Sequence, residues 1–164
     1  PFENYDGTNI KIKYYLLVTV RKRFNPIFKR CPLIFYRPVV QPILLNIAKN
    51  EEEYYGGGIE FKLLLNKLKY HLHDMILGQI HFLNVYSKIT KIDLQICKRE
   101  TVSEVESPLQ ILTTYEIMQG DVIRGEKVPF RFFLNNYPTS PTFVDSNGNF
   151  SVHYYIRFVQ HFKS

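Results

Sequence analysis

"KITKIDLQICKRE", residues 88–100, decides the fold. Side chains of an extended strand alternate between its two faces. Ile92, Leu94 and Ile96 are therefore expected to point into a core, with Lys91, Asp93, Gln95 and Cys97 pointing away. The apolar residues recur at every second position, which reads as strand and not helix. The same period runs outward in both directions. "IEFKLLLNKLKYHL" (59–72) puts Ile59, Phe61, Leu63 and Leu65 on one face. "MILGQIHFLNV" (75–85) carries Gly78 inside its run, a signal for a bulge or a close backbone approach. "VPFRFFLNN" (128–136) aligns Val128, Phe130, Phe132 and Leu134, and "FSVHYYIRFVQHF" (150–162) aligns Phe150, Val152, Tyr154, Ile156 and Phe158.

Near the start, "NIKIKYYLLVTVRKRF" (9–24) alternates Ile10, Ile12, Tyr14, Leu16, Val18 and Val20 against Lys11, Lys13, Tyr15, Thr19 and Arg21. It is expected to be one long, half-buried strand, preceded by a turn at Asp6-Gly7. "CPLIFYRPV" (31–39) reads as a shorter strand between Pro32 and Pro38, and proline places it at a sheet edge. "KNEEEYYGGG" (49–58) is acidic and then glycine-rich, and reads as a flexible connection over 46–58. "TVSEVESPLQ" (101–110) reads as a polar loop, and 135–149 as turn-rich. No segment holds helical amphipathicity over ten residues. The expected class is all-β, an antiparallel, immunoglobulin-like β-sandwich.

The 164 residues suit one large domain, or one domain with part of another. A hydrophobic content of 45% against 22% charged is enough to build a core. The net charge of +6 is spread along the chain. Its densest stretch, Arg21-Lys22-Arg23 with Lys29-Arg30 nearby, reads as a solvated strand end and loop, with acidic lipid or nucleic acid as the alternative. No zinc-finger, RNA-recognition or helix-turn-helix motif supports a nucleic-acid partner, and none is expected. Cys31 and Cys97 are too few for a disulfide framework and read as reduced thiols of a cytosolic protein. No apolar run approaches the roughly 20 residues of a membrane-spanning helix, and there is no signal-peptide pattern. The sequence opens on Pro1, almost inside a strand, and is expected to be a piece of a longer protein.

Chemistry-bearing motifs are sparse. His71 and His73 in "KYHLHD" would share a strand face and could reach a metal, but no third ligand is visible. A solvated strand face is the simpler reading. Asp74, Asp93, Glu100 and Glu116 are candidate acids by type only, and none lies in a GxSxG or HExxH setting. The glycines of "YYGGGIE" lead into neither a GxGxxG helix nor a GKS or GKT. A non-enzymatic binding module without cofactor or metal is expected. One more stretch stands out: in "YEIMQGDVIRGEKVPF" (115–130), Ile117 and Met118 sit at the lip of a polar, glycine-marked turn. They read either as the last core residues of a strand or as an exposed apolar tip.

Three stretches together resemble the vacuolar protein sorting protein 26 family, the arrestin-like subunits of the retromer coat. They are "FENYDGTNIKIKYYLLVTVRKRF" (2–24), "GGGIEFKLLLNKLKYHLHDMILGQIHFLNVYSKITKIDLQICKRE" (56–100) and "YEIMQGDVIRGEKVPFRFFLNNYPTSPTFVDSNGNFSVHYYIRFV" (115–159). The resemblance covers nearly the whole chain and departs in "QPILLNIAKNEEEYYGGG" (41–58) and "TVSEVESPLQILT" (101–113). It implies two arrestin-like sandwiches. Residues 1–45 would be closing strands of the N-terminal one and 46–58 a linker. Residues 59–164 would form the C-terminal one without its final strands. It further implies that Ile117 and Met118 contact the helical-solenoid subunit, vacuolar protein sorting protein 35. Gln119 and Gly120 would support them, with Arg124, Glu126 and Lys127 as a polar rim. Implied as well are sorting nexins and transmembrane cargo tails as partners, and a cytoplasmic location peripheral to endosomal membranes through those partners. The alternatives are an arrestin-like adaptor of another complex, such as retriever, and a metal-binding β-sandwich.

Overall fold

The computed structural model describes residues 2–36, 50–67, 69–137 and 139–163. Among the described residues thirteen strands follow the chain, with a short 3-10 turn at Leu134–Asn136. They are β1 (Tyr5–Asp6), β2 (Lys11–Ile12), β3 (Tyr14–Val20), β4 (Ile27–Leu33), β5 (Asn50–Gly56), β6 (Ile59–Leu65) and β7 (Met75–Val85). Then come β8 (Ile89–Val102), β9 (Val105–Glu106), β10 (Gln110–Gln119), β11 (Lys127–Phe133), β12 (Phe143–Val144) and β13 (Phe150–Phe162). The chain divides into two compact units: Pro1–Val40 with Arg99–Pro108 and Thr142–His153, and Gln41–Lys98 with Leu109–Pro141 and Tyr154–Ser164. The division is discontinuous in sequence, unlike the expected consecutive blocks 1–45 and 59–164. β8 and β13 contribute residues to both units.

The larger unit is a sandwich. One sheet has the order β11-β7-β6-β5, and β10, β8 and β13 follow one another in the other. Every pairing with a resolved register is antiparallel. Ile59, Phe61, Leu63, Ile76, Ile80, Phe82, Phe130 and Phe132 face Ile89, Ile92, Leu94 and Ile96 in one core. Fully burying one such side chain contributes about 1.5–3 kcal/mol. Edge-to-face ring pairs tie the sheets together, Phe130 to Phe158 at 5.6 Å and Tyr115 to Phe132 at 5.8 Å between centroids.

The expected inward rows of β6, β8 and β11 are met at Ile59, Phe61, Leu63, Ile92, Leu94, Ile96, Phe130 and Phe132. Two outward assignments are corrected, because Asp93 and Cys97 are both buried. β8 is an interior strand, with β10 on one edge and β13 on the other, and Lys91 and the β13 residue His161 close over Asp93. Burial pushes the Cys97 thiol up, against the charge of Arg157, so the thiol is no ready nucleophile.

The expected linker is also corrected where it is described. Residues 50–56 form β5, paired along its length with β6 from Asn50↔Leu65 to Gly56↔Ile59. Gly57 and Gly58 close the hairpin at φ 61° and 77°, the left-handed pair that a two-residue turn requires. Residues 46–49 lie outside the described residues, as do 37–39 of the expected second strand. The polar stretch 101–110 is a second hairpin, β8 to β9, turning at Ser103 and Glu104.

Gly78 meets the close-approach expectation, with no register shift beside it in the β7–β11 pairing. A Cβ there would stand 2.2 Å from the ring of Phe130.

In the smaller unit, Glu100 organises the N-terminal hairpin. Its buried carboxylate accepts hydrogen bonds from the Tyr5 hydroxyl (2.6 Å) and the backbone N–H groups of Thr8 (3.2 Å), Asn9 (2.7 Å) and Ile10 (3.2 Å). The turn between β1 and β2, expected at Asp6-Gly7, is therefore held by a distant carboxylate as well as by the Gly7 N–H to Ile10 carbonyl bond. Phe2, Phe143 and Phe150 form an aromatic cluster in the same unit, with Tyr5 against Phe143.

β3 does not meet the half-buried expectation. Among the described residues it pairs only with β4, and six of its seven residues are exposed. Alternation reports which residues share a face but not whether anything covers that face. The edge position expected for Pro32 is met, since β4 has β3 as its only described partner.

Four substitutions test these constraints in urea denaturation. Gly78→Val is expected to destabilise by about 1–3 kcal/mol through overpacking against Phe130, whereas Gly56→Ala, with open space around it, stays near neutral. Glu100→Gln is expected to cost about 2–3 kcal/mol and Tyr5→Phe about 1.5 kcal/mol, because charge-assisted bonds are lost. A Glu100→Gln protein within about 0.5 kcal/mol of the parent would contradict the clamp.

Candidate partner-docking site

β10 lies at one end of its sheet, paired with β8 on one side only among the described residues. Its pairing runs from Gln110↔Lys98 to Gln119↔Lys91 and shifts register between Glu116 and Met118. Ile117 is thus the extra residue of a β-bulge. A bulge re-aims a side chain, and here it lets two consecutive residues face the same way: Ile117 and Met118 are both half-buried against the core. The expectation of a loop tip is corrected to this extent. The pair belongs to the last residues of a strand, and each side chain is shared between core and surface.

The chain then turns. The Gly120 N–H donates to the Thr90 carbonyl at 2.8 Å, and φ at Gly120 is 112°, which favours glycine. Val122 is buried in the core and anchors the loop. Its neighbour Ile123 is 70% exposed, more than any other apolar residue between β10 and β11. Strand periodicity does not single out Ile123. Its signal was the apolar pair Val122-Ile123 inside a polar loop, where only one member can be buried on a tight turn. Arg124 and Gly125 form the next turn, closed by the Glu126 N–H to Ile123 carbonyl bond at 3.2 Å and tied to β7 by the Gly125 N–H to Phe82 carbonyl bond at 2.7 Å. Glu126 takes a structural role: its carboxylate accepts from the Ile123 N–H at 3.0 Å, and its carbonyl accepts from the Phe82 N–H. Arg124 and Lys127 are exposed. Ile117, Met118, Gln119, Gly120, Ile123 and Arg124 thus lie on one continuous strand-and-loop segment.

A buried polar cluster lies beside this segment. Asp93, opposite Glu116 in the ladder, binds Lys91 at 2.9 Å and His161 at 2.8 Å through Oδ2. Burial pushes its carboxyl up, but hydrogen bonds from Lys91 and His161 and their charge outweigh this and hold it below the usual aspartate value. His71 and His73 are not on a strand. They stand in a turn with ring centroids 5.5 Å apart, and the His71 Nδ1 accepts from the His73 N–H. Asp74 binds the His71 N–H and Lys67. Among the described residues no group of three or more His, Cys, Asp or Glu side chains could hold a metal. No helix of the described residues is long and apolar enough to cross a membrane.

Comparison with known proteins adds an independent finding. The profile of the family described as vacuolar protein sorting-associated protein 26 matches residues 1–161. The chain is 39% identical over 166 residues to vacuolar protein sorting-associated protein 26B-B of Xenopus laevis, covering 97% of the chain and 48% of that protein. It is 40% identical to the 26B-like protein of Danio rerio and 39% identical to protein 26B of Homo sapiens, over 97% of the chain in each case. The chain spans about half the length of the curated relatives it matches.

The depressed Asp93 carboxyl gives a pH prediction. A group whose pKa is lowered on folding adds stability above its unfolded pKa, about 3.9, and loses it as pH falls through the folded value. The stability difference between the parent and Asp93→Asn is expected to be constant above that value and to shrink below it. Urea denaturation across a pH series checks this, and a difference that stays flat into strong acid would contradict the ion-paired assignment.

Proposed function

The chain belongs to the vacuolar protein sorting-associated protein 26 family and has its arrestin-like, antiparallel β-sandwich fold, and from this premise we propose that it acts in vacuolar protein sorting as a non-enzymatic coat subunit. In this reading it docks on the helical-solenoid retromer subunit, vacuolar protein sorting protein 35. It then helps retrieve transmembrane cargo tails from endosomes, with sorting nexins as further partners. It works in the cytoplasm, peripheral to the endosomal membrane.

The observation that carries the docking assignment is the end of β10. An apolar pair, Ile117 and Met118, is fixed by a bulge at the open end of a sheet, and an exposed Ile123 follows within six residues. Rigidly held apolar side chains lose little entropy when a partner groove covers them. Methionine adapts to an irregular groove. Gln119 and Gly120 shape the turn between the apolar residues. Arg124 and Lys127 supply rim charge, which tunes association rate more than affinity. Glu126 supports the loop through its bond to Ile123 and acts on the partner indirectly.

The test is a calorimetric titration of the solenoid subunit with the parent and with an Ile117→Asp, Met118→Asn variant. The variant is expected to lose at least about 2 kcal/mol of binding free energy, the scale of an interface hot spot. Its thermal transition is expected to fall but remain cooperative, because both residues are half-buried. Ile123→Asp, exposed and free of that cost, is expected to weaken binding with no change in stability. Unchanged affinity in both variants would overturn the docking assignment.

A further inference from the structure

The ion-paired Asp93 lies beside the bulge that aims Ile117 and Met118. On β8, Lys91 and Asp93 are two residues apart. Their ladder partners on β10, Gln119 and Glu116, are three apart, and the difference is the bulge. Cross-strand partners share a face, so Asp93 and Glu116 stand side by side, on the face of β8 away from Ile92 and Leu94. Two carboxylates so placed repel each other, and the repulsion would fall where β10 already leaves the ladder. Lys91 Nζ at 2.9 Å and His161 Nε2 at 2.8 Å match the Asp93 charge. A second link runs in parallel. The Thr90 hydroxyl donates to the His161 carbonyl at 3.0 Å, and the Thr90 carbonyl accepts from the Gly120 N–H at 2.8 Å. β13, β8 and the residues on either side of the bulge are thus tied together within one compact unit.

We propose that Lys91, Asp93 and His161 are positioning residues for the docking segment: by matching Asp93 opposite Glu116 they hold β10 against β8 at the bulge, and so fix the direction of Ile117 and Met118. The cluster is poorly suited to stability alone. Asp93 Oδ1 is buried with no hydrogen-bond partner among the described residues, and such a group costs free energy. Replacing buried ionic groups by well-packed apolar residues is often neutral or stabilising, and their best-attested use is to fix register. The register at stake here is that of residues 116–119. The three residues act through the bulge and need not touch the partner. This inference rests on the docking reading and deepens it.

Two readouts on the whole chain test this: amide hydrogen exchange by NMR without any partner, and calorimetric titration of the solenoid subunit. Lys91→Gln with His161→Gln leaves Asp93 unmatched opposite Glu116. Exchange at the Gly120 amide is expected to quicken at least about tenfold, while amides of the β6–β7 pairing keep their protection. Affinity is expected to fall about tenfold, within the range for residues that touch no ligand. Adding Glu116→Gln removes the repulsion and is expected to bring both readouts back to within about threefold of the parent, whereas a loss of packing alone would not be rescued. Glu116→Gln by itself is expected to bind like the parent. His161→Gln alone keeps Lys91 on Asp93 and is expected to show the same changes at about threefold. The proposal is overturned if Gly120 exchange does not change, if protection is lost throughout the sandwich, or if Glu116→Gln restores nothing. Unchanged affinity also overturns it when the Ile117→Asp, Met118→Asn variant still loses binding. Unchanged affinity in both removes the docking reading, and the proposal with it, while the exchange result still reads the bulge by itself.

Discussion

The register of β8 is the constraint on which the larger unit depends. β8 has a neighbour on each edge, and a slip of one residue would carry Ile92, Leu94 and Ile96 out of the core. Its interior position also buries Asp93, a charge that must be matched where it stands. Lys91 on the same strand and His161 on β13 do so. β10 inherits its register from β8, and the bulge at Ile117 is one of two places where the two strands fall out of step. The side chains that this bulge re-aims are the ones proposed to meet a partner. Core packing, a buried ionic cluster and the candidate docking segment thus follow from one strand.

Much of this was legible in the sequence because strand periodicity is local. The two-residue repeat located β6, β7, β8, β11 and β13 and picked the inward rows of all of them but β7. The glycine inside β7 announced a close approach, which the Phe130 ring occupies. The failures have a common cause: they concern what lies next to a strand, which alternation does not report. Asp93 and Cys97 alternate outward but are covered by their neighbours. The apolar row of β3 alternates inward but is left open. β5 was read as a linker because three acids and three glycines masked a hairpin whose turn chemistry, Gly57-Gly58, was present all along. The bulge at Ile117 could not be foreseen, since an inserted residue leaves no mark in a period-two pattern. The role of Glu100 was also hidden, because its donors come from Tyr5 to Ile10, some ninety positions away.

Identity at the level of family rests on the chain as a whole, and the proposed docking rests on one segment. The end of β10 presents apolar side chains on a rigid strand and an anchored loop, as a protein groove requires. The most direct test of the docking account is hydrogen–deuterium exchange on the intact chain with and without the solenoid subunit. The account predicts new protection concentrated in residues 115–126, at the end of β10 and the loop that follows. Protection elsewhere with residues 115–126 unchanged would contradict it.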